Sequence, residues 1–281
     1  MATLIQTLKN VLANSDPFLA PETKRIILKE VLQAYVLDYL YNHSSYRHLN
    51  FYGGTCLHVV YGLNRLSEDL DFDNRSGLDL GSLDDNVVQH FQRSFAYPDV
   101  SSKVQEGKGG IFRLTLKFPL LNALGLSPHP SEALHLKVEV SQHEQVAIIK
   151  RTPVFVYGRS LVAVHFSLET MMAGKMLACL ERNFVRGRGG PQIKGRDFYD
   201  LLWFMQQHIW PLDEKLANDG QQSYTVESAM FALKEKIADI NTRDLAIDLL
   251  TMFESRRFIE SWLDAFHENF QAFVKGYLKD N

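Results

Sequence analysis

The chain has 281 residues, 46% of them apolar and 22% charged, the proportions of an ordinary globular protein with length enough for one large or two modest domains. Its net charge of −3 gives no global attraction for nucleic acid, so any RNA contact has to come from a local patch. Cys56 and Cys179 offer neither a disulfide framework nor a metal spacing, the N-terminus lacks a signal-peptide pattern, and no apolar run is long enough to span a membrane; a cytoplasmic protein is expected.

In chain order, residues 2–14 read as a short helix stopped by Asn14-Ser15-Asp16-Pro17. Pro21-Glu22-Thr23 opens a longer one to about Tyr41, with Ile27, Val31, Tyr35 and Tyr39 on one stripe. Both read as packing helices without chemistry. Leu49–Tyr52 reads as a strand and Thr55–Leu63 as a short helix, which puts Gly53-Gly54 at a strand-to-helix junction. Bare backbone and a helix N-terminus at such a junction make a seat for phosphate. Asp69-Leu70-Asp71-Phe72-Asp73 then alternates: in a strand, Leu70 and Phe72 face the core and the three aspartates share the other face. A row of like charges needs a counter-charge, and divalent metal with nucleotide phosphate would supply it. The alternative is an acid-decorated edge strand in solvent.

Leu83–Phe95 reads as a helix with Ser82 as N-cap and Asp84 and Asp85 in its first turn. A hairpin follows, turning at Glu106–Gly110. Its second arm sends Phe112, Leu114, Leu116 and Phe118 inward and Arg113, Thr115 and Lys117 outward. After a proline-rich loop, Leu134–Val140 alternates again, with His135, Lys137 and Glu139 on its polar face. From Ser167 the pattern turns helical, dividing the chain into a core unit, 1–165, and a helical unit, 166–281. The first helix there is capped at Ser167 and runs to about Asn183. Its Lys175 stands amid the stripe Leu168, Met171, Met172, Met176 and Cys179, where an ammonium either snorkels to solvent or meets a fixed anion. The stretch 182–196 carries Arg182, Arg186, Arg188, Lys194 and Arg196 with no acid, which suits a flexible RNA contact or a merely solvated loop. The next helix buries Phe198, Leu201, Leu202 and Met205 and leaves Asp197 and Asp200 on a different side. The closing aromatic stripe, Phe258 to Tyr277, reads as core packing.

The turn Gly53-Gly54-Thr55-Cys56-Leu57 followed by Arg65-Leu66-Ser67-Glu68-Asp69-Leu70-Asp71-Phe72 resembles the signature of the nucleotidyltransferase-like toxins of the AbiEii/AbiGii class, MenT-type toxins included, with Cys56 where alanine is usual. The resemblance covers residues 49–73 and 134–202, in which Lys175 precedes Arg196-Asp197-Phe198-Tyr199-Asp200-Leu201 in the family's order. It implies an α+β fold: a nucleotidyltransferase (polymerase β-like) mixed sheet core with flanking helices, followed by an all-α C-terminal part. It also implies a magnesium-dependent toxin of a toxin–antitoxin or abortive-infection system of phage defence, with a cognate antitoxin as partner. Such an enzyme transfers NMP from an NTP to RNA, in several relatives the 3′ end of tRNA.

On this resemblance Gly53, Gly54, Thr55 and Ser67 seat the nucleotide, and Arg65 and Lys175 neutralise its phosphates. Asp69 and Asp71 hold two Mg2+ ions. Glu139 completes the carboxylate set or takes the acceptor's proton; its alternative is an exposed salt bridge. Asp197, with Asp200 beside it, holds the lysine or the nucleotide, and Arg186, Arg188, Lys194 and Arg196 take RNA. Ser67 matches a residue phosphorylated in some relatives, or simply caps the following strand. A small-molecule or protein nucleotidyltransferase, or a non-catalytic nucleotide-binding regulator, would share part of the pattern. Neither the choice of NTP nor the acceptor follows from these residues.

Overall fold

The computed structural model describes residues 3–107, 109–142, 144–182 and 193–278, and the chain packs as two compact units, 1–144 with 150–165 and 145–149 with 166–281. The first contains helices α1 (Leu4–Asn14) and α2 (Pro21–Asn42), strand β1 (Asn50–Tyr52), α3 (Gly53–Tyr61), β2 (Asp69–Asp73), α4 (Leu83–Ser94), β3 (Ser101–Gly107), β4 (Ile111–Phe118), β5 (Leu134–Ser141), β6 (Ile149–Val156) and β7 (Arg159–Phe166). The strands form one seven-stranded sheet in the order β3-β4-β5-β2-β1-β7-β6. The sheet is mixed: β2 runs parallel to β5 and antiparallel to β1, and β1 runs parallel to β7.

Alternation fixes which face is buried. Leu70 and Phe72 of β2 and Phe51 of β1 lie in the core, with the Phe51 and Phe72 rings stacked at 5.2 Å. Tyr41 of α2 donates its hydroxyl to the Val164 carbonyl of β7 at 2.8 Å, tying the helix to the sheet. The middle of α2, from Ile26 to Leu37, is buried except at Lys29 rather than along one stripe. Two readings of local structure change. Ser82 occupies the N-cap position of α4 without a side-chain capping bond, and α3 starts at Gly53 itself, so the glycines form its first turn. The β6–β7 hairpin has no counterpart in the sequence reading. Its loop is only Tyr157-Gly158, both at positive φ, the geometry that matches strand twist, and Pro153 inside β6 is tolerated because β6 is an edge strand.

The second unit contains α5 (Leu168–Glu181), α6 (Gly195–Gln206), α7 (Asp213–Asn218), α8 (Val226–Ala238), α9 (Thr242–Leu249), α10 (Arg256–Asp264) and α11 (Phe266–Val274). Ser167 caps α5 by accepting from the Thr170 amide at 3.3 Å. Helix α6 is the centre of this unit, and its burial is nearly complete: Asp197, Tyr199 and Asp200 are as enclosed as Phe198, Leu201, Leu202 and Met205. Asp197 and Asp200 do share a side of α6, and that side is buried as well. The aromatic stripe is split between α10 and α11, with Phe266 edge-on to Phe198 and Trp262 against Tyr199. Among the described residues no helix is long and apolar enough to cross a membrane.

Candidate active site

The junction of β1 and α3 is shaped by what its glycines lack. Gly53 sits at φ +82°, a left-handed conformation that a side chain strains, and a Cβ there would collide with the Asp71 carboxylate. A Cβ on Gly54 would stand 2.5 Å from an Arg65 guanidinium nitrogen and 3.1 Å from Ser67 Oγ. Asp71, Arg65 and Ser67 are thus drawn against the first turn of α3, whose amides have no acceptors within the helix. Arg65 is only 2% exposed and donates to the Leu66 carbonyl at 3.0 Å.

Behind this turn lies a buried polar network that sequence patterning did not single out. Thr55, fully enclosed, donates its hydroxyl to the Asp69 carbonyl and lies 2.8 Å from Ser67 Oγ. The Ser67 amide donates to Glu30 of α2 at 3.1 Å, and Gln33, one turn on, donates to the Ser67 carbonyl at 3.1 Å. Glu30 also accepts from Tyr157 at 3.3 Å and lies 3.3 Å from His58 Nε2, while His58 Nδ1 donates to the Leu63 carbonyl at 2.6 Å. Burial pulls the His58 pKa down, but the hydrogen bond and charge of Glu30, with the Leu63 carbonyl, outweigh it and leave the pKa raised. The signal in the sequence was an acid and an amide three residues apart within the apolar middle of α2. Ser67 itself is buried, bonded through backbone and side chain, so in this conformation its hydroxyl serves the packing of the strand entry.

The carboxylate row follows from register. Asp71 of β2 aligns with Tyr52 of β1 on one side and Glu139 of β5 on the other, so Asp71 and Glu139 share a sheet face. Asp69 lies on the same face and Asp73 does too, but Asp73 is fully buried and engaged by Asn50 at 3.0 Å and Arg75 at 2.9 Å. Glu139 is held in a salt bridge by Arg113 of β4 at 2.9 Å, a partner on the neighbouring strand rather than Lys137 of its own. Among the described residues no three His, Cys, Asp or Glu side chains converge as a metal-ligating group. Asp69 and Asp71 offer hard carboxylate oxygens on one strand face beside a side-chain-free turn, a donor set that fits magnesium.

A second cluster lies within the helical unit. Lys175 of α5 meets Asp197 at 2.7 Å and Asp200 at 2.8 Å, and Arg182 meets the other oxygen of Asp197 at 2.7 Å. Burial pushes the Asp197 carboxyl up, but Lys175 and then Arg182 hold it well below the usual carboxylate range. The anion opposite the lysine is therefore a pair of α6 carboxylates, and no phosphate is required to explain its place in an apolar stripe. Arg196 is drawn to Asp248, which accepts from its amide at 3.2 Å. Burial, then the nearby guanidinium groups of Arg196 and Arg182, lower the Lys194 pKa. Arg186 and Arg188 lie outside the described residues.

The family model described as "Nucleotidyl transferase AbiEii toxin, Type IV TA system" matches residues 36–281. Among solved structures the chain is similar to an H. pylori protein provisionally described as a nucleotidyltransferase, at TM-score 0.52 and 18% identity, covering 88% of this chain and 93% of that one. It is also similar to an antigenic nucleotidyltransferase-like protein from Paracoccidioides brasiliensis, at TM-score 0.41 and 16% identity, covering 90% and 94%. No curated protein matches. The first likeness is one of fold.

Three outcomes follow from the packing. Gly53→Ala should lower unfolding stability by about 1–3 kcal/mol, read as a shift in urea midpoint at unchanged slope; wild-type stability would refute the close approach. Lys175→Met removes the cation that Asp197 and Asp200 share, leaving Asp197 to Arg182, and should cost about 3–5 kcal/mol by the same measurement. Because the His58 pKa is raised on folding, its contribution is complete below the ordinary value of 6.5 and is lost as pH rises through the folded value. The gap in thermal midpoint between wild type and His58→Gln should be widest below pH 6.5 and narrow above it; a gap independent of pH would exclude the charged pair.

Proposed function

We infer the reaction from one premise: this chain belongs to the AbiEii family of nucleotidyl transferase toxins. Nucleotidyl transfer is its reaction class, NTP its donor, and a toxin of a type IV toxin–antitoxin system has an antitoxin as partner. We propose, more specifically, that it is magnesium-dependent and moves NMP from an NTP to RNA, at the 3′ end of tRNA, as a growth-arresting toxin of the abortive-infection kind.

The observation that carries this reading is the approach of Asp71 and Arg65 to the two glycines of the β1–α3 turn. Gly53, Gly54 and Thr55 present helix-start amides to the donor's phosphates. Arg65, held against Gly54, supplies positive charge there, and Ser67 and Thr55 hold the strand entry so that Asp69 and Asp71 keep their spacing from the turn. Asp69 and Asp71 are the residues to hold magnesium, which when bound stabilises negative charge growing on phosphoryl oxygens. Glu139, in register with Asp71, is the group to take the acceptor hydroxyl's proton once Arg113 turns to another anion. The protein's share is placement and charge; it forms no covalent bond to the nucleotide. Lys194 and Arg196, with Arg186 and Arg188, remain candidates for RNA contact, although Arg196 is already paired with Asp248.

Purified protein incubated with magnesium, each α-labelled NTP in turn and total tRNA should label tRNA from one nucleotide. Asp69→Ala should cut that transfer by about a thousandfold, the equivalent of several kcal/mol, while its thermal midpoint stays at or above that of the wild type because the row loses a like charge. If tRNA stays unlabelled where an NTP demonstrably raises the thermal midpoint, the acceptor is a small molecule or protein instead.

A further inference from the structure

The polar face of β3, β4 and β5 continues the carboxylate face of β2. Asp69 stands in register with Lys137, Lys137 with Thr115, and Thr115 with Lys103. In the neighbouring rows Glu139 aligns with Arg113, and His135 with Lys117. Residues in register on adjacent strands project to one face, so Lys103, Arg113, Lys117, His135 and Lys137 form one surface beside Asp69 and Asp71. The opposite face of β3 is the helix-covered one, since Ser102 there bonds Asp84 of α4 at 3.2 Å. Lys103, Arg113, His135 and Lys137 are exposed and Lys117 is half-buried.

The sign of this surface is what calls for a partner. Glu139 is the one carboxylate on the open face of these three strands, and Arg113 covers it at 2.9 Å. Arg113 in turn lies across Gly107, where a Cβ would stand 3.1 Å from its guanidinium carbon. Like charges gathered on neighbouring strands destabilise a sheet, yet here they gather in a chain of net charge −3. The His135 pKa, lowered by burial and then by Lys117, Lys29 and Lys137, reports the same positive field. From β3 to β2 is three strand spacings, about 14 Å, and Arg113 to Lys117 is about 13 Å along the strand. That area exceeds one triphosphate and suits a strand of several phosphates.

We propose that this face is the seat of the acceptor: the single-stranded 3′ end of an RNA crosses β3, β4 and β5 with its phosphates on Lys103, Lys117 and Lys137 and its terminal hydroxyl toward Asp69 and Asp71. The proposal rests on the nucleotidyl-transfer reading above and gives its RNA acceptor a place on the sheet, apart from the arginine-glycine stretch. Basic side chains on an open sheet track a backbone without reading its sequence, which leaves base choice to the catalytic end.

The test is fluorescence anisotropy of a labelled single-stranded RNA bearing a free 3′ hydroxyl, over a series of salt concentrations. The variant Lys103→Gln/Lys117→Gln/Lys137→Gln should bind at least about tenfold more weakly, and its plot of log affinity against log salt should be shallower by about 2, three phosphate contacts at roughly 0.7 each. Removing three charges elsewhere, at exposed Lys9, Arg93 and Lys234, should leave affinity within about twofold, and the rise in thermal midpoint caused by NTP should be the same in all three proteins. Wild-type affinity and slope in the sheet variant would overturn the proposal and leave nucleotidyl transfer standing. Loss of the NTP effect with RNA binding intact would assign the face to the donor and overturn it as well, as would equal weakening in the control variant. A wild-type protein that binds no RNA would remove the RNA acceptor and this seat together.

Discussion

Two missing side chains govern the sheet unit. At Gly53 and Gly54 the space a Cβ would fill is taken by the carboxylate of Asp71 and the guanidinium of Arg65. No loop adjustment relieves this, because the glycines follow a sheet strand directly and form the first turn of a helix. Everything else in the unit serves to keep that approach close. The β2 register sets Asp71 opposite Tyr52, and the Thr55–Ser67–Glu30 hydrogen bonds keep the strand entry from drifting. The long helix α2, buried through its middle, carries Glu30 and Gln33 to the same spot.

The two units solve the problem of buried charge in different ways. In the helical unit opposite charges are brought together and neutralised: Lys175 and Arg182 against Asp197 and Asp200. Such a cluster fixes α5 against α6, and removing its lysine takes away the cation that both carboxylates share. In the sheet unit charges of one sign are also gathered, cations on the open face of β3 to β5 beside the aspartates of β2, with Arg113–Glu139 at their boundary. Like charges gathered on neighbouring strands are costly, and such a basic face is the form expected where an anionic partner lies across it.

Local rules carried much of this into the sequence. The alternation of Asp69–Asp73 and of Leu134–Val140 set faces correctly, and the Gly-Gly junction marked the helix start to within two residues. What local rules could not carry was pairing. That Glu139 lies opposite Asp71 is a consequence of the parallel β2–β5 ladder, and nothing in either strand announces its partner. Glu30 was hidden because one acid in a helix reads as solvated until the sheet closes over it. That the side carrying Asp197 and Asp200 is buried could not be read either, because an apolar stripe does not show that the rest of a helix is also covered. The β6–β7 hairpin escaped because Pro153 and the Lys150-Arg151 pair break the strand pattern where an edge position tolerates them.

The order of the strands in the sheet bears on how the enzyme comes into being. Strand β2 needs β5, some seventy residues later in the chain, to gain its second ladder, and β1 needs β7, more than a hundred residues later. Parallel neighbours cannot be supplied by a hairpin close at hand. On the ribosome, at about 5–20 residues per second, the stretch carrying Asp69 and Asp71 therefore waits several seconds without the strand that aligns Glu139. The face that carries Asp69, Asp71 and Glu139 is therefore assembled only once the β2–β5 ladder has formed.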